Sequence, residues 1–239
     1  MLLLFIIYKQ NSPLFLSFKK MIDLFFNLIY NIICKILKGL LFMNNDLFSS
    51  YDKITDKCFE IFEKKQKDYG PTWILNRYSS LIDEIWRKAK RIRTLEENGE
   101  ENALINEGRD VEYLAIINYC VMCLIRLGDY GLPADSEVLE DLSKLDSVTN
   151  DQLFTAYKSV TAEIRELLYR KNNDYGDAWR SMGIYSMTDQ VLIRVYRIKT
   201  ILSNGGKCEI SEGVDSQLKD IINYCVFALI KLAEAAEQR

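Results

Sequence analysis

The side chains available for catalysis are carboxylates, lysines, tyrosines and cysteines, because the 239 residues include no histidine. This absence excludes a Ser-His-Asp triad, a Cys-His pair and a histidine-bound zinc ion. Catalysis would have to use those groups or a metal ion held by oxygen atoms. The net charge of −3 does not favour stable nucleic-acid binding, which usually needs a basic surface.

Asp220 is the carboxylate of greatest interest, because it lies in an otherwise apolar helical segment with Asn223 on the same face. Burying a carboxylate costs free energy unless the group is paired or binds a cation. One interpretation is a Mg²⁺ site formed by Asp220 with Glu212 and Asp215, since hard divalent cations prefer clustered carboxylate oxygens. The other is that Asp220 pairs with an arginine of a neighbouring helix. Both interpretations stay open, and the arginines considered are Arg194 and Arg197.

The chain contains an internal repeat. The motif Asp-Tyr-Gly-x-x-Trp at residues 68–73 recurs at residues 174–179. A second motif, Ile-Ile-Asn-Tyr-Cys-Val, occupies residues 116–121 and recurs at residues 221–226. Two motifs in the same order indicate a duplicated unit.

The two copies differ at the carboxylates. Gln217 stands where the first copy has Glu112, and Ala115 stands where the second copy has Asp220. One possibility is a composite metal site with ligands from both copies, which adds Glu112 to the predicted ligands. The other is that the first copy is degenerate and lacks a complete metal site. The acids that begin the third helices could equally be residues favoured by the helix dipole. These acids are Glu107, Asp110, Glu212 and Asp215.

Basic residues surround both Asp-Tyr-Gly motifs and suggest a site for a phosphate and a base. The same charges would also suit the C-terminal end of a helix dipole. The candidate substrate-binding residues are Lys67, Asp68, Tyr69, Lys171, Asp174, Tyr175, Arg91, Arg197 and Asn223. Asp83 and Asp189 are interpreted as helix caps, and Trp73 and Trp179 as packing residues.

Apolar spacing and glycines predict three helices in each copy. The first helices run from about Ser50 to Lys67 and from about Asp151 to Asn173, and Gly70 and Gly176 follow them as helix-ending glycines. The second helices begin near residues 80 and 186, and the third helices follow glycines 108 and 213. The third helices are apolar on nearly every side, so they should be central.

The predicted fold is therefore all-α, a tandem duplication of a three-helix unit packed as one pseudo-twofold bundle. The predicted segments are 1–42, a first repeat at 43–128, a linker at 129–150 and a second repeat at 151–239. The linker should contain a short helical run at residues 136–145.

Residues 1–42 form a basic, hydrophobic segment with five lysines and one aspartate. Three interpretations stay open: a translated upstream extension before Met43, a membrane-associated helix, or a packed part of the fold. Asp23, Lys35 and Lys38 interrupt the apolar stretch, which argues against a spanning helix.

The six cysteines are expected to be buried thiols in a reducing cytoplasm. Cys120-Val-Met-Cys123 has metal-knuckle spacing but lies in an apolar helix without a second pair.

The combined motifs resemble the nucleotide-modification-associated domain family of type one, a bacterial and phage family. They are Lys/Asn-Asp-Tyr-Gly-x-x-Trp, Glu-Gly-x-Asp and Asp-Ile-Ile-Asn-Tyr, and the resemblance covers about residues 50–233. The family looks akin to the all-α MazG and dimeric dUTPase pyrophosphohydrolases. That likeness implies Mg²⁺ held by helix-borne carboxylates, with Glu212, Asp215 and Asp220 in that role.

We therefore expect a Mg²⁺-dependent nucleotide pyrophosphohydrolase acting on nucleoside triphosphates, deoxynucleoside triphosphates or modified nucleotides. The alternatives are a non-catalytic nucleotide-binding accessory protein of a modification system and a structural helical module. The expected partner is a small nucleotide, with no stable nucleic-acid binding, and a homodimer is left open. The expected location is the cytoplasm, with membrane contact only if residues 1–42 belong to the protein.

Overall fold

The computed structural model describes residues 13–105, 107–208 and 212–238, and this part of the chain consists of helices and their connections without strands. Before Leu47, side chains are described only at residues 22, 25, 26 and 28–30. The α-helices are α1 (Pro13–Tyr69), α2 (Tyr78–Asn98), α3 (Arg109–Leu127), α4 (Asp135–Glu140), α5 (Ser143–Asp146), α6 (Asn150–Tyr175), α7 (Ile184–Ser203) and α8 (Val214–Glu237). The prediction of an all-α fold is confirmed.

The chain divides into two units, Met1–Ser49 and Ser50–Arg239. In the first unit, Phe25 and Phe26 are exposed apolar side chains of α1. Among the described residues, no helix combines the length and the apolar character that crossing a membrane requires. The predictions for residues 1–42 fall in part on residues 1–12, which lie outside the described residues.

The central helices of the second unit are α3 and α8. They begin directly after Gly108 and Gly213, as predicted, and they bury 12 of 19 and 11 of 24 residues, respectively. The two helices pack against each other, while α2 packs on α3 and α7 packs on α8. A helix that is apolar on nearly every side needs neighbours all round, and this arrangement supplies them.

Equivalent helices of the two repeats contact one another, since α2 packs on α7 and α3 packs on α8. Two ion pairs join α2 to α7 reciprocally: Arg93 with Asp189, and Lys199 with Asp83. Lys199 and Asp189 occupy the repeat positions of Arg93 and Asp83, so one pair is the copy of the other. Such reciprocity is the mark of a twofold relationship.

These pairs correct the interpretation of Asp83 and Asp189 as caps. Helices α2 and α7 begin at Tyr78 and Ile184, earlier than predicted, and neither N-terminus has a side-chain cap. The two aspartates therefore lie beyond the first turn, where their carboxylates reach a cation of the facing helix instead of a free backbone N–H.

Two other predicted elements differ from the structure. Helix α1 continues N-terminally beyond Ser50, where the first helix of the repeat was expected to begin. The linker contains two short helices, α4 and α5, because the chain is extended at Asp141 (φ −147°, ψ 98°). The predicted single run at residues 136–145 is therefore interrupted there.

Candidate functional site

Each repeat holds a cavity at the C-terminal end of its first helix. The cavity of the first repeat, beside α1, has a volume of about 650 Å³, and that of the second repeat, beside α6, about 530 Å³. Equivalent residues line both: Tyr69 and Tyr175, Gly70 and Gly176, Trp73 and Trp179, Asn118 and Asn223, and Tyr119 and Tyr224. The duplication has therefore produced two related cavities, called the first cavity and the second cavity below.

The glycines of the Asp-Tyr-Gly motifs end α1 and α6 beside these cavities. Gly70 has φ of 63° and Gly176 has φ of 60°, a left-handed conformation that favours glycine. The N–H of Gly176 donates to the Asn172 carbonyl across 2.8 Å, which closes the last turn of α6. The predicted role of both glycines as helix terminators is confirmed.

In the second cavity, Asp220 is held between two cations of neighbouring helices. Its carboxylate accepts from the Lys171 ammonium at 2.7 Å and from Nε of Arg194 at 3.2 Å. The Arg194 guanidinium also lies over the ring of Tyr224, at 4.6 Å from the centroid. Of the two interpretations of Asp220, pairing with an arginine of a neighbouring helix describes its contacts, and that arginine is Arg194.

Two buried polar atoms of residues lining the second cavity have no hydrogen-bond partner within the described part of the chain. They are the indole Nε1 of Trp179, a donor, and the amide Oδ1 of Asn223, an acceptor. The two residues are only 6% and 5% exposed. Unpaired buried polar atoms cost free energy, so a ligand that pairs with them would gain affinity.

The first repeat satisfies the corresponding amide internally. Nδ2 of Asn118 donates to the Cys58 carbonyl across 3.1 Å, and its Oδ1 accepts from the Tyr157 hydroxyl across 2.7 Å. Asn118 is therefore a packing residue of the core, whereas Asn223, its copy, keeps an unused acceptor. The two cavities share a shape but differ in the polar groups that they offer.

The ring of Trp179 stacks on Phe227, with 4.6 Å between centroids and 6° between planes. The predicted packing role of Trp179 accounts for this contact, although not for its unpaired Nε1. Tyr175, by contrast, is 78% exposed at the mouth of the same cavity. The second cavity thus combines a fixed aromatic wall with one accessible aromatic ring.

The carboxylates predicted as metal ligands lie in different surroundings. Glu112 is buried and pairs with Lys88 at 3.1 Å and with Arg91. Asp215 lies 3.6 Å from the Lys219 ammonium. Glu212 and Asp220 both line the second cavity. Within residues 13–105, 107–208 and 212–238, no three carboxylates or cysteines form a group suited to a metal ion.

Three of the nine predicted substrate-binding residues line the second cavity: Lys171, Tyr175 and Asn223. Tyr69 lines the first cavity. The other five are absent from the linings of both: Lys67, Asp68, Asp174, Arg91 and Arg197. Lys67 pairs with Glu63 at 3.3 Å, and Arg91 binds Glu112, so neither presents a free charge.

Lys65, which was not among the predicted substrate-binding residues, lines the first cavity with Tyr69. Lys65 and Tyr69 are four residues apart, as are Lys171 and Tyr175, so each pair shares one helix face. That spacing, together with the repeat, could have identified Lys65 from the sequence. The structure puts Lys67, two residues further on, outside the cavity lining.

Most cysteines behave as predicted. Cys58, Cys120, Cys123 and Cys225 are buried free thiols, whereas Cys208 is exposed, contrary to the prediction. Burial raises the pKa of the Cys120 thiol well above its usual value and that of Cys58 to about 12. The Cys120-Val-Met-Cys123 spacing therefore reflects packing. The side chain of Cys34 lies outside the described residues.

The sequence of this chain matches the model of one protein family, nucleotide modification associated domain 1, at residues 65–127 and again at residues 171–232. No curated protein and no solved structure matches the chain. The two matches together span more than half of the chain and coincide with the two copies found from the repeated motifs and the paired cavities. The chain therefore belongs to the nucleotide modification associated domain 1 family, of which it carries two copies in tandem.

Proposed function

We propose that the protein binds a nucleotide in the second cavity. The observation that carries this proposal is the unpaired donor and acceptor, Trp179 Nε1 and Asn223 Oδ1, in residues that line a cavity of about 530 Å³. That volume lies within the usual range for small-molecule sites. A nucleobase edge offers both an acceptor and a donor, so it has a chemical counterpart for each of these atoms.

The cations of the cavity suit the phosphates of the same ligand. Lys171 and Arg194 line the cavity and share the single carboxylate of Asp220. An arginine fork matches phosphate geometry, and a lysine adds a compact positive charge. The exposed ring of Tyr175 offers a surface on which a base can stack. The phosphates and the base of a nucleotide thus each have a chemical counterpart in the cavity.

Hydrolysis of the bound nucleotide is a second candidate, favoured by the presence of two carboxylates, Glu212 and Asp220, in the same cavity. Magnesium commonly binds through one or two carboxylates together with substrate phosphates, so this pair fits a Mg²⁺ that arrives with the nucleotide. The bound metal would neutralise phosphate charge and lower the pKa of a coordinated water molecule. Asp220 would have to exchange its two cationic partners for the metal, which makes binding the leading proposal.

The test uses the full chain with a panel of nucleoside and deoxynucleoside triphosphates, with and without Mg²⁺. Calorimetry measures binding, and pyrophosphate release measures turnover. The variant Trp179→Phe removes the indole N–H and keeps an aromatic ring, so we expect about tenfold weaker nucleotide binding from one lost hydrogen bond. Trp73→Phe, the same change in the first repeat, is the matched control and should leave this affinity unchanged.

The outcomes separate the candidate functions. Saturable binding without turnover supports the binding function. Turnover that Glu212→Ala and Asp220→Ala both abolish supports pyrophosphohydrolysis. If no nucleotide binds at millimolar concentration with or without Mg²⁺, both candidates are wrong and a structural role is left.

A further inference from the structure

The first cavity carries an excess of positive charge that the second cavity lacks. Its charged lining residues are Lys57, Lys65 and Asp110. In the second cavity the lining cations Lys171 and Arg194 are balanced by Glu212 and Asp220. The duplicated cavities have therefore diverged in charge while keeping the same aromatic and glycine framework.

Two substitutions between the copies contribute charge to the first repeat, although Glu163 itself does not line the second cavity. At the positions equivalent to Glu163 and Asp220 of the second repeat, the first repeat has Lys57 and Ala115. Lys171 donates to Asp220 across 2.7 Å. Its counterpart Lys65 lacks that carboxylate, because Ala115 stands at the position equivalent to Asp220.

Within the described residues, no carboxylate forms an ion pair with the lysines of the first cavity. Lys57 and Lys65 are exposed, and neither has a carboxylate within 4.0 Å in the part of the chain that the structure describes. Asp110 lines the same cavity without forming an ion pair with either lysine. Two unpaired ammonium groups at one cavity attract an anion and place at least two charge-assisted donors around it.

The side-chain amide of Asn118, which could select a base, is already used in the first cavity. Both amide atoms of Asn118 are bonded to protein groups, whereas Oδ1 of its copy Asn223 is not. Lysines beside the exposed ring of Tyr69 can bind an anion without hydrogen bonds that distinguish one base from another.

We infer that the first cavity is a second ligand site, distinct from the second cavity, which binds the polyphosphate group of an anionic ligand through Lys57 and Lys65 without reading a base. The inference rests on the charges of the first cavity and does not require that the second cavity bind a nucleotide. Gene duplication would thus have given one chain two related cavities that differ in charge.

Inorganic tripolyphosphate, titrated calorimetrically into the full chain without divalent metal, tests this inference because it has no base. We expect saturable binding to the wild-type protein and about five- to tenfold weaker binding to Lys65→Ala, which loses one charge-assisted contact. The variant Ala115→Asp keeps both lysines and adds the carboxylate of the second repeat, so it should weaken binding by repulsion and by pairing with Lys65. Lys67→Ala is the matched control, because Lys67 already pairs with Glu63 outside the cavity lining.

The inference is wrong if the wild-type protein binds no tripolyphosphate at millimolar concentration. It is also wrong if Lys65→Ala and Ala115→Asp bind as tightly as the wild type, or if Lys67→Ala weakens binding as much as they do. Trp179→Phe separates this inference from the proposed function, since it should weaken nucleotide binding and leave tripolyphosphate binding to the first cavity unchanged.

Discussion

Lys171 donates a 2.7 Å hydrogen bond to Asp220 across the second cavity, and this contact defines the electrostatics of that cavity. Arg194 completes the arrangement, with 3.2 Å between its Nε and the same carboxylate. The side chains of Asp220 and Arg194 are 18% and 12% exposed, so water screens their interaction only in part. The carboxylate orients two cations toward one cavity and at the same time competes with any anion that enters it.

Asp220→Ala should therefore tighten binding of a nucleotide in the absence of Mg²⁺, by about fivefold, because it releases two cations for the phosphates. The same change should lower the free energy of unfolding by about 1 kcal/mol, since it removes a partly exposed ion pair. Calorimetry in a chelating buffer measures the first effect, and urea unfolding measures the second. Asp215→Ala, which removes a carboxylate outside the cavity lining, is the control. Weaker metal-free binding to Asp220→Ala would contradict this account of the cavity.

Glu112, predicted from the sequence as a metal ligand, should prove to be a structural residue. Its carboxylate is buried and binds both Lys88 and Arg91, so removing the charge takes this partner from Lys88 and leaves Arg91 only the exposed Glu107, 3.6 Å away. We expect Glu112→Gln to lower the free energy of unfolding by about 3 kcal/mol in chemical denaturation. Glu84→Gln, which breaks the exposed pair with Arg87, should cost less than about 1 kcal/mol. Similar losses for the two variants would count against a structural role specific to Glu112.

Most helices and several of their ends were predictable because they depend on local patterns. The glycines after α1 and α6, the glycines before α3 and α8, and the apolar surfaces of the central helices all follow from residue type and spacing. The repeat also predicted the twofold arrangement that the Arg93–Asp189 and Lys199–Asp83 pairs display. Most of the fold could therefore be predicted from local residue spacing and the internal repeat.

The partners of the charged side chains were less predictable, because they depend on how each helix is rotated against its neighbour. The sequence offered both Arg194 and Arg197 as partners of Asp220, and only the packing of α7 on α8 selects Arg194. It also favoured Lys67 over Lys65, although the four-residue spacing to Tyr69 marks Lys65. Long side chains reach several places from one helix position, so their contacts need the tertiary structure.

The reciprocal pairs between α2 and α7 should contribute equally if the two repeats are related by a twofold arrangement. A double-mutant cycle on Arg93 and Asp189 and another on Lys199 and Asp83 measure the two coupling energies. These side chains are between 39% and 62% exposed, so we expect each coupling to be below about 1 kcal/mol and to fall at high salt. A large coupling in one pair with none in the other would indicate that the repeats no longer pack equivalently.

Glu96 should make stability depend on pH. Its side chain is 3% exposed and accepts from the Thr188 hydroxyl across 2.7 Å, and desolvation raises the pKa of the carboxyl above its usual value of 4.5. Between the unfolded pKa and this higher folded pKa, the folded state binds more protons than the unfolded state. The contribution of Glu96 to the free energy of unfolding therefore decreases as the pH rises through that window.

Glu96→Gln keeps an acceptor for Thr188 and removes the titration. We expect the difference between its free energy of unfolding and that of the wild type to shift in favour of the variant as the pH rises above about 4.5. Urea unfolding at several pH values measures this difference. Arg109 lies 3.6 Å from Glu96 and loses a charged partner in the variant. The test is therefore how the free energy of unfolding changes with pH, and not its value at one pH. Parallel pH profiles for the variant and the wild type would show that the pKa of Glu96 is not raised.

Alkylation should distinguish Cys208 from the buried thiols. Cys208 is exposed, whereas burial raises the pKa of Cys58, Cys120, Cys123 and Cys225 and so lowers their thiolate fraction at neutral pH. Iodoacetamide at pH 7.5, followed by peptide mass spectrometry, should modify Cys208 first and the four others only after unfolding. Cys208→Ser is the control, because it should remove the early modification without exposing another of these thiols. Rapid native alkylation of Cys120 or Cys123 would show that α3 is not enclosed by its neighbours, and the central position of that helix would then have to be rejected.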